Sequence, residues 1–397
     1  MMKRLIFGMT LLMIAMAGQA QKKELSQARD NLKGNRNLPQ TEQSMNNLLK
    51  DSANLGNKKI WLYLFDAIRK QYEQGNEKLY LKQQYDTASL VNIAHRLFLA
   101  MERFDSIDAA PDKTGKSKPE YRKKHADLLN TLRPNLYNGA LFLIGKQKYD
   151  EAYNYLDTYI DCANRPMFRS YAYSEKDTVM PQAAYWAVYC GYRLADARKT
   201  LHHTYLALKD KRHIEPMLQY LATTYQLEGD TTRYRKALME GFSRYPLNSY
   251  FFSELVNHYC AADEWTEALA VADKALQSDS LSKVFLLAKS TILLNLERYD
   301  ETIKVSDRLI ALDDSLAQAQ LNAGLAYFNK GVAMDVRTKR TTHKHEILDM
   351  YKKALPYLEK ARKQLPEQKD KWSLPLYTIY LNLNMGEEFD EIDKLIR

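Results

Sequence analysis

The sequence predicts an all-α protein built as an α-solenoid of antiparallel helix pairs, and three observations predict it. Small or slim residues recur at a fixed interval: Val256, Ser290 and Gly324 stand 34 residues apart, as do Ala268 and Thr302. Short aromatic-centred turns keep the same interval, DEWTEA at 263–268 and ERYDET at 297–302. The 397 residues include only 14 Gly and 11 Pro, too few for the turns of a many-stranded β protein. A period of about 34 marks one helix–turn–helix unit per repeat, and such a unit buries its apolar face only by stacking on its neighbours.

The first element is expected to be a leader. Lys3 and Arg4 precede an apolar run from Leu5 to Ala17, and Gly18-Gln19-Ala20 offers the small residues of a cleavage site before Gln21. That pattern reads as a signal peptide over 1–20, too short for a stable span, and predicts an exported mature chain. No cysteine follows the apolar run, so the usual bacterial lipid attachment is not expected. Removing Lys3 and Arg4 lowers the net charge from +9 to +7, which does not call for nucleic acid. Cys162, Cys190 and Cys260 are an odd, widely spaced set without a CxxC motif. They read as buried small residues, and the sequence leaves open whether any two pair. The 28 tyrosines read first as helix–helix packing and second as a sticky groove.

Residues 21–110 form an N-terminal helical segment, in which Leu90, Ile93, Ala94, Leu97 and Met101 share one helical face. Residues 111–124, PDKTGKSKPEYRKK, break the pattern with two prolines, a glycine and six basic residues, and read as an exposed basic linker loop. From 125 to 397 the repeats become legible.

That part resembles the tetratricopeptide repeat (TPR) family, whose 34-residue unit carries small residues at positions 8, 20 and 27. In the unit around 249–282, Phe252, Leu255, Val256 and Tyr259 occupy positions 4, 7, 8 and 11, with Ala268 and Ala275 at 20 and 27. The unit before it offers Leu221, Ala222, Tyr225, Gly229, Gly241 and Pro246 but places Tyr234 at position 20. The unit after it keeps Ser290 and Thr302 but has Leu309 at 27. In the next, Ala323, Gly324, Tyr327 and Gly331 are followed by Ala354, Ala361 and Pro366 only after a basic insertion at about 332–349. Earlier matches are looser, around Ala140, Tyr149 and Ala152 and around Ala184, Ala187 and Ala197. The AGQAQ junction resembles those of Gram-negative Bacteroidetes, which places the expected protein in a periplasm or cell envelope. The resemblance implies a right-handed superhelix and a non-catalytic scaffold or adaptor.

The first helix of each unit in that family lines a concave groove through positions 2, 5, 9, 12 and 13. Carried over, these select Gln219, Thr223, Gln226, Tyr250, Asn257, Cys260, Thr291, Asn295, Phe328 and Asn329. Side-chain amides can grip an extended peptide backbone with paired donor and acceptor. A protein or peptide partner is therefore expected, with a glycan or cell-envelope polymer bound through the basic loops as the alternative. No catalytic motif, cofactor fingerprint or metal-ligand spacing is apparent. His202 and His203 are adjacent and are expected to point to different helix faces, so no metal site and no cofactor is expected.

Overall fold

The computed structural model describes residues 19, 21–337 and 343–397. The expected leader, Gln19 aside, and residues 338–342 of the expected insertion lie outside them. The chain divides into two compact units, Met1–Glu228 and Gly229–Arg397. The division falls within the stretch expected to be one repeat domain. Every regular element is helical, and there is no strand among the described residues.

In the first unit the order is α1 (21–33), α2 (Leu38–Leu48), α3 (Lys58–Tyr80), α4 (Thr87–Asp108), α5 (Arg122–Gly145), α6 (Tyr149–Asp161), α7 (Tyr173–Lys176), α8 (Met180–Arg193), α9 (Ala197–His202), α10 (Thr204–Ala207) and α11 (Ile214–Leu227). Asn57 and Asp86 start α3 and α4 by accepting backbone N–H bonds from Lys59 and from Ala88 and Ser89. The expected face of α4 is fully buried, from Leu90 to Met101. The basic loop is shorter than expected, because Arg122 begins a helix. Its guanidinium forks onto Asp105 at 2.7 and 2.9 Å, while Asp108 accepts from the Tyr121 backbone at 2.8 Å and from Lys58 at 2.6 Å. Two acids at the end of α4 thus hold the far end of the loop.

After α6 the chain runs through two 3-10 turns, Cys162–Asn164 and Pro166–Tyr171, and the single turn α7. Arg133 on α5 clamps this stretch. Its side chain is buried, donates to Asp177 Oδ2 at 2.6 Å and to the Tyr159 carbonyl at 2.9 and 3.1 Å, and lies between the rings of Tyr159 and Tyr173. Every charge it buries is therefore met by a partner. Tyrosines do much of the remaining packing: Tyr185 stacks on His213 at 4.0 Å, and Tyr192 on Tyr220 at 4.5 Å. At the α8–α9 contact the buried slim residue is Thr200, where Ala197 was expected. Ala197 is only half buried at the start of α9, whereas a Cβ on Gly191 would meet the Thr200 backbone nitrogen at 2.4 Å.

The second unit contains α12 (Thr231–Arg244), α13 (Ser249–Ala261), α14 (Trp265–Ser278), α15 (Lys283–Asn295), α16 (Tyr299–Leu312), α17 (Ala317–Arg337), α18 (Lys344–Gln364), α19 (Lys369–Leu383) and α20 (Gly386–Ile396). The small-residue ladder is its seam: Ala268, Ala275, Ser290, Thr302, Ala323, Ala354 and Ala361 are all 0 % exposed, and Gly324 is buried against Leu358. Tyr234, the departure from the code, is buried with its hydroxyl donating to Glu254 at 2.8 Å.

The turn between the two helices of a pair carries a second period. Ala195, Gly229, Asp263 and Glu297 all have left-handed backbone, with φ of 52°, 70°, 57° and 56°, and stand 34 residues apart. A left-handed residue just past a helix satisfies the last carbonyls and reverses the chain. The next position in this series is Gly331, and there the helix runs on to Arg337. Of the expected inserted loop at 332–349, residues 332–337 and 344–349 are helix: α17 and α18 are each 21 residues long and pack on one another. A Cβ on Gly331 would meet Tyr351 at 2.9 Å, and Phe328 stacks on the same ring at 5.7 Å.

Candidate binding surfaces

Within the second unit three first helices, α15, α17 and α19, are close neighbours. α15 packs on α17, and α17 on α19, in addition to the helix that follows each. The second helices α14, α16 and α18 make no comparably close approach to each other among the described residues. The layer formed by α15, α17 and α19 is consequently the tighter one.

The selected residues divide between the units. Gln219, Thr223 and Gln226 lie on α11 in the first unit, where Gln226 is exposed and the other two are half-buried. Tyr250, Asn257, Cys260, Thr291, Asn295, Phe328 and Asn329 lie on α13, α15 and α17 in the second. Asn257 and Asn295 are exposed. Asn295 Nδ2 donates to the Thr291 carbonyl one turn back at 2.8 Å. Thr291 is engaged by the neighbouring first helix: buried Asn322 donates to its hydroxyl at 3.0 Å and to Ser290 Oγ at 2.6 Å. That amide supplies a partner for Ser290, one of the two polar rungs of the ladder. Phe328 is committed to Tyr351, Tyr250 is half-buried with its ring edge-on to Phe251, and Asn329 and Cys260 are half-buried. The lengthened α17 adds a cavity of about 450 Å³, formed by Lys330, Ala333 and Met334 over the α15–α16 turn at Glu297–Glu301.

The first unit holds a groove that the sequence pattern did not reveal. It measures about 630 Å³, with Leu49, Leu55, Trp61, Leu64, Ile68, Leu99 and Ile107 among its apolar lining and Lys50, Arg96 and Arg103 among its cations. Arg96 is paired with Glu42 at 2.9 Å. Deeper in this unit Glu102 is a buried carboxyl, pushed up to about 7 by burial against the counter-effect of Arg165 at 3.3 Å. Burial also pushes His95 down to about 4, and its ring bonds Thr158 at 2.8 Å.

The three cysteines are free thiols, Cys162 and Cys190 buried and Cys260 half-buried. Burial pushes all three up, Cys190 to about 12, so none is a ready thiolate nucleophile. The expectation that His202 and His203 diverge does not hold, because α9 ends between them and both rings turn toward Asp157. No helix among the described residues is long and apolar enough to cross a membrane.

These features define an all-α helical-repeat protein whose small-residue seam resembles that of tetratricopeptide repeats. No family profile and no curated protein matches the chain. Solved structures similar to it include the C-terminal part of a TPR repeat-containing protein from Cytophaga hutchinsonii, with 13% identity, a TM-score of 0.43, and 65% of this chain and 93% of that one covered. MamA is similar with 16% identity and a TM-score of 0.37, over 46% of this chain and 89% of its own. YrrB, described as a TPR protein with an unusual peptide-binding site, shares 16% identity with a TM-score of 0.28, over 62% and 93%.

Proposed function

We propose that this chain is an exported, non-catalytic scaffold that holds an extended peptide segment of a protein partner on the first-helix layer of its second unit. The observation that carries the reading is the side-by-side packing of α15, α17 and α19, with Asn295 exposed on α15 and Asn257 exposed on α13, the first helix of the pair before it. Helices in such a layer lie about 8–10 Å apart, and an extended peptide advances about 3.3 Å per residue. Each repeat therefore spans about three peptide residues. Exposed amides at that spacing can meet successive peptide groups with a donor and an acceptor each. Raised thiols agree with a non-catalytic role, and the Lys3-to-Ala20 pattern supports export into a bacterial envelope.

Site-specific photocrosslinkers test it. Placed at Asn257 or Asn295 in the producing cell, they should trap one common protein band. Placed at exposed Lys304 on α16 they should not. Equal trapping from both layers contradicts the proposed face. N-terminal sequencing of the cell-derived protein should begin at Gln21, and an intact Met1 would contradict export.

A further inference from the structure

We propose that Asp157, His202 and His203 form a binding site for a divalent metal ion of the zinc class, which staples α6 to the turn between α9 and α10. On a continuous helix, successive side chains point about 100° apart and do not converge on one ligand. Here α9 stops at His202, and His203 leaves helical geometry at φ −105° and ψ 14°. The break brings the two imidazoles to one side, with ring centroids 4.3 Å apart and planes at 65°.

Both Nε2 atoms face the same carboxylate oxygen, Asp157 Oδ1, at 2.7 Å from His203 and 3.7 Å from His202. The three ligating atoms lie within 4.8 Å of one another. Around a tetrahedral zinc ion with bonds of about 2.0–2.2 Å, neighbouring ligand atoms sit about 3.3 Å apart. The short pair must open and the long pair close by about half an ångström each. His202 is the residue that a simple hydrogen-bond account leaves over. At 3.7 Å its nitrogen is beyond hydrogen-bond reach of the carboxylate toward which it is turned.

Exposure gives the ion one protein side and one solvent side. The side chains of His203, Asp157 and His202 are 10%, 40% and 60% exposed, which leaves a fourth position for water. Two imidazoles with one carboxylate suit zinc, nickel or copper better than calcium or magnesium, which prefer oxygen shells. The nearby cation Arg165 is paired with Asp161 at 2.5 Å, so its repulsion of an incoming ion is offset. The ligands come from α6 and from a segment some 45 residues on. Bound metal thus cross-links the first unit and favours its folded state by mass action.

The test uses the full chain without an affinity tag, stripped with chelator and titrated with Co²⁺ and Zn²⁺. Wild type should bind one equivalent, show the visible bands of four-coordinate Co²⁺, and unfold at a higher temperature with zinc than with chelator. His202→Ala should weaken binding tenfold or more while leaving the metal-free midpoint unchanged, because His202 is exposed and makes no hydrogen bond among the described residues. His345→Ala, at the start of α18 in the second unit, should bind as wild type. Absence of stoichiometric binding at micromolar metal overturns the proposal. So does His202→Ala that binds as wild type, or loss of binding in His345→Ala.

Discussion

The two units reach stability by different means. In the second unit the same contact is made repeatedly: a 0 % exposed small residue lets two helices approach, and large neighbours such as Phe252, Phe285 and Leu358 fill the space around it. In the first unit the helices are uneven, from four residues in α7 to 24 in α5, the period is lost before Ala195, and the irregular stretches are held by individual buried polar groups such as Arg133, Asp105 and Asp108. The comparison teaches that a repeat seam distributes stability over many equivalent rungs, whereas a non-repeating bundle concentrates it in a few clamps.

Breaking a clamp should have the largest effect. Arg133→Ala leaves Asp177 and the Tyr159 carbonyl without their buried donor and should cost about 3–5 kcal/mol. Arg133→Lys should not restore it, since an ammonium cannot reproduce the fork stacked between two rings. Hydrogen exchange should localise the loss to residues before 229, and a loss spread evenly over both units would erase the distinction.

A rung comes next. A Cβ on Gly324 would meet Leu358 Cγ at 2.7 Å, so Gly324→Val should overpack the α17–α18 seam by about 1–3 kcal/mol. Ala268→Phe should do the same at α14. Thermal unfolding at the wild-type midpoint for both would sink the register.

The buried titratable groups sharpen the contrast through pH. Glu102 is held protonated up to about 7 in the folded protein, whereas a free glutamate ionises near 4.5. Its contribution is therefore full below 4.5 and is lost as pH rises through 7. His95 runs the other way: held neutral down to about 4, it contributes fully above 6.5 and loses that contribution as pH falls toward 4. The two slopes oppose each other between 4.5 and 6.5. Glu102→Gln should stabilise the first unit at pH 8 by on the order of 1–2 kcal/mol, change little at pH 4.5, and expose the His95 slope. A pH profile parallel to wild type would contradict the buried-carboxyl account.

The smallest effect tests the turn period. Ala195 and Glu297 pay a left-handed backbone penalty that glycine does not. Ala195→Gly should be neutral or stabilising by up to about 1 kcal/mol, and clear destabilisation would speak against the turn as described.

What was legible in the sequence follows from the same contrast. Val256, Ala268, Ser290, Thr302 and Gly324 could be read because a seam repeats its requirement every 34 residues. The αL positions at Ala195, Asp263 and Glu297 kept that period without being legible, because three different residue types fill them and only Gly229 is a glycine. The 332–349 stretch looked like a loop because its basic residues interrupt the code, yet α17 runs on to Arg337 and α18 begins at Lys344, with Phe328 and Gly331 against Tyr351. Arg133 and Asp177 lie 44 residues apart with no local signature, and Asp157 meets His202 and His203 only because a short helix ends between them. The groove positions were placed by the register of the family resemblance. A register cannot show that Phe328 is spent on Tyr351 or that Thr291 is held by Asn322.

The most direct test of the proposed binding face is selection of extended peptides from a random library on the immobilised chain. The account predicts that selected peptides lose at least tenfold in affinity to the Asn257→Ala/Asn295→Ala double variant and keep their affinity for Lys304→Glu on α16. Peptides that bind the double variant as well as wild type, and are lost instead on Arg103→Glu in the groove of the first unit, would contradict it.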